Sequence, residues 1–177
     1  MIPEGYAVEK LSIEHAAGLA AAYDRNRDHL ARWDPRREPS FFTEQGQTAA
    51  LVGQLSAIDR GLGAGWVMVH QGSVVGRVNL NNVVMGVLAS ASVGYWVDAE
   101  HLGRGLASGA VELACAAGRE IGLHRVEAGT LVHNTASQRV LERTGFRYYG
   151  TAERFLFIDG GWQDHRLYQR ILHDDPL

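Results

Sequence analysis

One stretch constrains this chain more than any other, because it joins a strand pattern to a helix pattern through two glycines. Val93–Val97 is an apolar run that favours a strand, and from Leu106 onward apolar residues recur at helical spacing. The glycines of Gly103-Arg104-Gly105 let backbone N–H groups face outward between them. A helix start adds unpaired N–H donors and a partial positive charge. The sequence therefore predicts an anion site, most simply for a phosphate or pyrophosphate.

A dinucleotide site is one alternative for this turn. Gly103-x-Gly105-x-x-Ser108 is close to the dinucleotide fingerprint, and Glu127 follows about 20 residues later, as that fold requires. Three features count against it. Ser108 stands where helix packing needs a small Gly or Ala, Glu127 falls inside a β-like run, and the site comes late in the chain. A turn with a purely structural role is the other alternative.

The composition is that of an ordinary globular chain. Its 177 residues can bury one sizeable core, so we expect a single domain over residues 1–177. The net charge of −3 gives no sign of a nucleic-acid partner. The chain shows neither an apolar run of membrane-spanning length nor a signal-like start, which predicts a cytoplasmic protein without a membrane partner. The single cysteine, Cys115, lies in the helical run, where we expect it to pack.

The predicted elements follow the order β, α, α, three strands, α, β, α and two strands. Strands are expected at 6–11, 66–70, 74–80, 91–97, 125–132, 146–158 and 162–172. Helices are expected at 13–27, after Thr43 with a buried stripe of Leu51, Leu55, Ile58 and Leu62, at 106–122, and at 134–143 with Ala136, Val140 and Leu141 inward. This order predicts an α+β domain with a mixed sheet, parallel only around the helix that begins at Leu106.

Several segments resemble the GNAT superfamily of acetyl-CoA-dependent N-acetyltransferases. Leu102–Ala107 is similar to the family's Gln/Arg-x-x-Gly-x-Gly/Ala turn, which wraps the coenzyme A pyrophosphate, although Leu102 departs from the preferred Gln or Arg. Val132–Phe146 resembles the second motif as found in the RimJ/RimL type of ribosomal-protein N-acetyltransferase. Asn26–Pro35, Val93–Val97 and Gly160–Arg170 resemble that type as well. The resemblance implies a mostly antiparallel sheet of about seven strands, a splayed central strand pair and about four flanking helices.

The resemblance also implies an acetyl-CoA site and assigns residues to it. The cofactor-binding set would be Tyr95, Trp96, Val97, Leu102, Gly103, Arg104, Gly105, Leu106, Ala107, Ser108, Asn134, Arg139 and Arg143. Its catalytic residues would be Ser137, which would hydrogen-bond or protonate the departing thiolate, and Asn134, which would bond the pantetheine arm. Trp33 would wall the acceptor groove. The structural alternatives are a helix cap for Asn134, solvated surface positions for Arg139 and Arg143, and a core position for Trp33.

The general base is not evident from the sequence. Leu156 stands near the position where the RimJ/RimL type carries a Glu, and Ser92 stands where relatives often carry one. The titratable alternatives nearby are Glu100, His101, Glu153 and Asp159, and a water relay is a further option. The eight histidines form no His-Glu-x-x-His or Cys–His pattern, so no metal site is predicted.

The sequence thus predicts an enzyme that transfers acetyl from acetyl-CoA directly to a primary amine. An α-amine is partly neutral near pH 7 and a lysine side chain scarcely at all, so a site without an evident base favours a protein or peptide N-terminus. A small-molecule amine, such as an amino acid, amino sugar or polyamine, is the alternative acceptor. A non-catalytic acyl-CoA-binding domain is the alternative function, and a homodimer is left open.

Overall fold

The computed structural model describes residues 1–175, so Pro176 and Leu177 of the predicted domain lie outside the described residues. Seven strands form one sheet in the order β1-β2-β3-β4-β5-β7-β6. The strands are β1 Tyr6–Lys10, β2 Ala64–His70, β3 Ser73–Val84, β4 Ser90–Val97, β5 Arg125–Leu131, β6 Arg147–Ile158 and β7 Gly161–Ile171. The helices are α1 Ala16–Arg25, α2 Arg27–Ala31, α3 Glu44–Asp59, α4 Leu106–Glu120 and α5 Thr135–Arg143. The predicted α+β fold is confirmed.

The two faces of the sheet carry separate cores, because strand side chains alternate between faces. On one face α4 and α5 pack on the sheet, with Leu106 and Leu141 among the buried residues. On the other face α1 and α3 pack on the sheet, with Leu19 and Leu51 fully enclosed. Neighbouring residues of β2 divide accordingly, since Met68 belongs to the first core and Val67 to the second.

The sheet splays between β4 and β5, as the resemblance implied. This is the parallel strand pair, and it is paired only from Ser90–Ser92 to Arg125–Glu127. The crossover between the two strands is α4, and every other described strand pair is antiparallel. Residues 93–97 of β4 therefore have no partner strand on the β5 side, and a gap opens through the sheet.

Several helix ends differ from the predicted ones. The expected helix at 13–27 is broken into a 3₁₀ turn at Ile13–His15 and then α1, and α2 follows as a separate short helix. α3 ends before Leu62, because Gly61 adopts a φ of +74° and the N–H of Leu62 bonds to Ala57 O at 2.9 Å. Leu62 is consequently exposed rather than buried. The predicted cap at Thr43 is confirmed, since its side chain accepts a hydrogen bond from Gly46 N–H at 3.1 Å.

The buried faces of α4 and α5 were predicted only in part. Leu106 and Ala110 are buried as expected, but Ile121 lies beyond the end of α4 and is exposed. Cys115 is buried, and burial raises the pKa of its thiol to about 11, which fits the expected packing role. In α5 the expected inward Ala136 is exposed, and Gln138 is buried instead. Gln138 takes that place because its amide donates to the carbonyl groups of Leu131 and Val132.

Candidate active site

A cavity of about 870 Å³ occupies the gap between β4 and β5. Its wall on the α4 and α5 side includes the start of each of these helices, with Leu106 and Ser137. Its wall on the other side is the segment that follows α1, from His29 to Pro35. The cavity therefore passes through the sheet from one face to the other, and it can admit one ligand from each side.

The predicted anion turn has the required backbone. Gly103 and Gly105 adopt φ of +73° and +79°, and nothing lies within 4 Å of a Cβ added at either position. The first backbone hydrogen bond of α4 runs from Gly109 N–H to Gly105 O at 3.0 Å. The N–H groups of residues 106–108 precede that bond and face the turn without an intrahelical partner. This arrangement can hold a phosphate or pyrophosphate group.

The open edge of β4 presents backbone groups to the cavity. The N–H of Asp98 bonds to Val75 O at 2.9 Å, and the carbonyl of Trp96 lies against Gly76, so these residues direct their backbone groups toward β3. Because backbone groups alternate along a strand, those of Tyr95 and Val97 point into the gap. An extended, amide-bearing ligand can pair with this edge as an added strand would.

Ser137 and Tyr95 form a pair of hydroxyl groups at the cavity wall, with their oxygens 2.8 Å apart. Asn134 caps α5, since its Oδ1 accepts a hydrogen bond from Ser137 N–H at 3.1 Å, and this fixes the backbone of Ser137. Burial raises the pKa of Tyr95 to about 12, and its hydrogen bond with Ser137 acts in the opposite direction. The phenol is therefore protonated at neutral pH and can serve as a proton donor.

The structure brings nearly all of the predicted site residues together. Among the described residues, every predicted catalytic, cofactor-binding and acceptor residue except Arg104 lines the cavity. Arg104 points elsewhere and donates to Glu100 O at 3.2 Å. Arg139 and Arg143 are exposed at the cavity rim, one turn apart on α5.

Of the positions considered for a base, only two line the cavity. They are Leu156, which cannot act as one, and His101. Burial lowers the pKa of His101, and its Nδ1 is hydrogen-bonded to the Tyr6 hydroxyl at 2.8 Å. Ser92, Glu100, Glu153 and Asp159 lie outside the cavity wall.

Asp34 and His165 are among the titratable cavity residues that were missed in the sequence, although both lie in segments that carry the family resemblance. Asp34 directly follows Trp33, whose ring lies 5.5 Å from that of His133. Burial raises the pKa of Asp34, and the positive charge of Arg37 acts in the opposite direction. His165 lies on β7 and is 3% exposed. The alternation of β7 could have placed His165 on one face of the sheet, but not beside the cavity.

A family model described as an acetyltransferase (GNAT) domain matches residues 7–147. The chain belongs to this family. Its prediction as a GNAT acetyltransferase is thereby confirmed.

Relatives and solved structures support the RimJ/RimL type. This GNAT chain is 33% identical to the [ribosomal protein uS5]-alanine N-acetyltransferase of Escherichia coli K12 over 84% of its own length and 78% of the relative's. The crystal structure of the ribosomal-protein-S5-alanine acetyltransferase from Vibrio fischeri has a TM-score of 0.94 at 31% identity, covering 99% of this chain and 98% of the other. Mycobacterium smegmatis RimJ in complex with CoA-disulfide has a TM-score of 0.86 at 28% identity, covering 94% and 81%.

Within residues 1–175, His, Cys, Asp and Glu form no group of three or more that could hold a metal ion. No helix of that part of the chain is long and apolar enough to span a bilayer.

Proposed function

We propose that this GNAT protein transfers acetyl from acetyl-CoA to the α-amine of a protein or peptide that begins with a small residue. The observation that carries the proposal is the cavity through the sheet, which has proton donors on the α4 and α5 side and an aromatic and acidic wall on the other. The relatives named for acetylation of ribosomal-protein alanine support the same acceptor class.

Acetyl-CoA fits the α4 and α5 side. The N–H groups at the start of α4 would hold the pyrophosphate, and Arg139 and Arg143 are positioned near the rim for a further phosphate. The open edge of β4 would pair with the pantetheine arm. The N–H of Val97 would polarise the thioester carbonyl, because a fixed donor at that point stabilises the developing oxyanion.

The hydroxyl pair of Ser137 and Tyr95 would complete the transfer. Ser137 would protonate the sulfur as the carbon–sulfur bond breaks. The Tyr95 hydroxyl, whose oxygen lies 2.8 Å from that of Ser137, would hold the serine hydroxyl in position. The amine attacks the thioester carbon directly, so both substrates must be bound at once. No covalent acetyl-enzyme is required.

The acceptor side favours a single ammonium group over a polycation. Asp34 is the one carboxylate among the described residues that line the cavity, and on the acceptor side Arg32 lines it as well. A polyamine would therefore meet one carboxylate and one guanidinium group there, with no excess of negative charge. One α-ammonium group can pair with Asp34 and lie against the ring of Trp33.

Competition between two peptides tests the proposal. One peptide carries a free N-terminal alanine and a blocked lysine, and the other a blocked N-terminus and a free lysine. With acetyl-CoA present, mass spectrometry should find the product chiefly on the α-amine. Acetylation chiefly of lysine, or of neither peptide while a small amine is acetylated, would contradict the proposed acceptor. Thermal unfolding gives an independent arm, because acetyl-CoA should raise the Tm and NAD or NADP should not.

A further inference from the structure

The imidazole of His165 is held in one tautomer. Its Nδ1 lies 3.1 Å from the carbonyl oxygen of Gln163. A carbonyl oxygen can only accept a hydrogen bond, so Nδ1 carries the proton and Nε2 carries the free lone pair. The ring also packs against Phe155, with the ring centroids 5.4 Å apart, and this fixes its orientation.

The lone pair of Nε2 is available to a ligand. Nε2 has no hydrogen-bond partner among residues 1–175. It keeps some accessible surface, because it is not among the fully enclosed unpaired side-chain atoms of that part of the chain. The residue is 3% exposed, and it lines the cavity. A buried polar atom without a partner is costly, so such an atom that opens on a cavity indicates a role in binding or catalysis.

The sheet places His165 on the side where the acceptor would enter. Along β7, Arg166 contacts α5 and Arg170 contacts α4, and Tyr168 belongs to the core beneath those helices. Because side chains alternate along a strand, His165 points to the opposite face, the one that carries α1 and α3. It is therefore across the sheet from Ser137 and on the same side as Trp33.

We propose that His165 is the general base that removes a proton from the incoming ammonium group. This inference rests on the proposed function. Nε2 takes one proton from R–NH₃⁺, and the neutral amine then forms the nitrogen–carbon bond while the carbon–sulfur bond breaks. Ser137 supplies the proton that the sulfur gains. The further proton lost by the amide nitrogen restores Ser137, and the imidazolium proton passes to water in the cavity.

The pH dependence of a variant tests this role. His165→Gln retains a donor for the Gln163 carbonyl but has no basic lone pair, so it should use only acceptor that is already neutral. For an α-amine with a pKa of about 7.7–8.0, its kcat/KM should then fall about 15- to 30-fold between pH 9 and pH 6.5. The wild type, which also accepts the ammonium form, should fall clearly less over the same range.

Other ionisable groups lie around the cavity, namely His29, Arg32, Asp34 and His101 on its wall and His133 beside Trp33. The ratio of variant to wild-type kcat/KM at each pH cancels their shared contribution. His173→Gln, at a histidine outside the cavity wall, is the matched control and should keep the wild-type profile. His165→Ala should regain activity when imidazole is added.

The outcomes separate this inference from the proposed function. Wild-type protein that acetylates no α-amine contradicts the proposed function itself. If the wild type is active, a constant ratio of His165→Gln to wild type from pH 6.5 to pH 9 overturns the base assignment. Equal loss at every pH, accompanied by a lower Tm and no rescue by imidazole, would leave His165 with a structural role only.

Discussion

The side-chain oxygen of Asn26, at the end of α1, accepts a 2.9 Å hydrogen bond from the N–H of Ala99, which lies just beyond β4. Asn26 is 1% exposed, and its amide donates to Ala22 O at 2.9 Å. Beside this contact, Arg25 pairs with the buried Asp98 at 2.6 Å. These contacts therefore join the segment after α1, which leads into the acceptor wall, to the segment after β4, which leads into the anion turn.

Asn26→Ala should weaken this link. It removes both hydrogen bonds of this buried side chain, so we expect a loss of about 1–3 kcal/mol in the free energy of unfolding. Acetyl-CoA affinity should fall as well, because the anion turn loses part of its support. Urea unfolding and calorimetric titration measure the two effects. Asp24→Asn, which breaks an exposed pair with Arg27, is the control. Wild-type stability of Asn26→Ala would contradict the interpretation.

Asp34→Asn should raise stability at neutral pH. Burial raises the pKa of Asp34 more than the nearby charge of Arg37 lowers it, so the charged form is disfavoured in the folded state. The effect on stability is small, because solvent screens a side chain that is 41% exposed. A carboxyl group whose pKa is raised in the folded state contributes stability at pH values below the ordinary Asp pKa, which is near 4. This contribution is lost as the pH rises through the pKa of the folded state. The Tm advantage of the variant should therefore appear as the pH rises from 4 to 7. The variant should also have a higher KM for the peptide, because the side chain, 41% exposed, faces the acceptor space. A Tm advantage that shrinks over this pH range would contradict the assignment.

Gly105→Glu should abolish acetyl-CoA binding. The new carboxylate would place bulk and negative charge where the turn is expected to meet the pyrophosphate. Gly86→Glu is a matched control, because Gly86 has a similar φ of +72° and similarly open surroundings outside the cavity. Both variants carry the same backbone strain, and calorimetric titration should show loss of binding only for Gly105→Glu. Normal binding by a folded Gly105→Glu would mean that the segment is only a turn.

Ser137→Ala should lower kcat by about 100- to 10,000-fold, as for a positioned proton donor, and should lower acetyl-CoA affinity much less. Tyr95→Phe should lower kcat too, because it removes the hydroxyl that is hydrogen-bonded to Ser137. If the two hydroxyls act as one unit, the double variant should lose little more than Ser137→Ala alone. Unchanged kcat in Ser137→Ala would leave the residue as part of the first turn of α5, and fully additive losses would separate the two roles.

Local sequence patterns predicted helix ends correctly where a single physical rule applied. Gly122 and Gly145 end α4 and α5 with φ of +86° and +80°, as expected for left-handed helix ends. At α3 two signals disagreed. The apolar periodicity continued to Leu62, but the left-handed Gly61 ended the helix before it. The gap beside β4 was expected only through the family resemblance, since strand patterns carry no information on where a parallel pair stops pairing.

The sequence by itself determined the strand–turn–helix unit at residues 93–108, the cap at Asn134 and the family. These depend on backbone preferences and side chains close together in the chain, and those are set locally. Only the tertiary structure decided that Tyr95 meets Ser137, 42 residues away, and that Asp34 and His165 line the same cavity. Such contacts depend on strand order, on which face each side chain occupies and on the splay of the sheet, and these are fixed only when distant segments pack together.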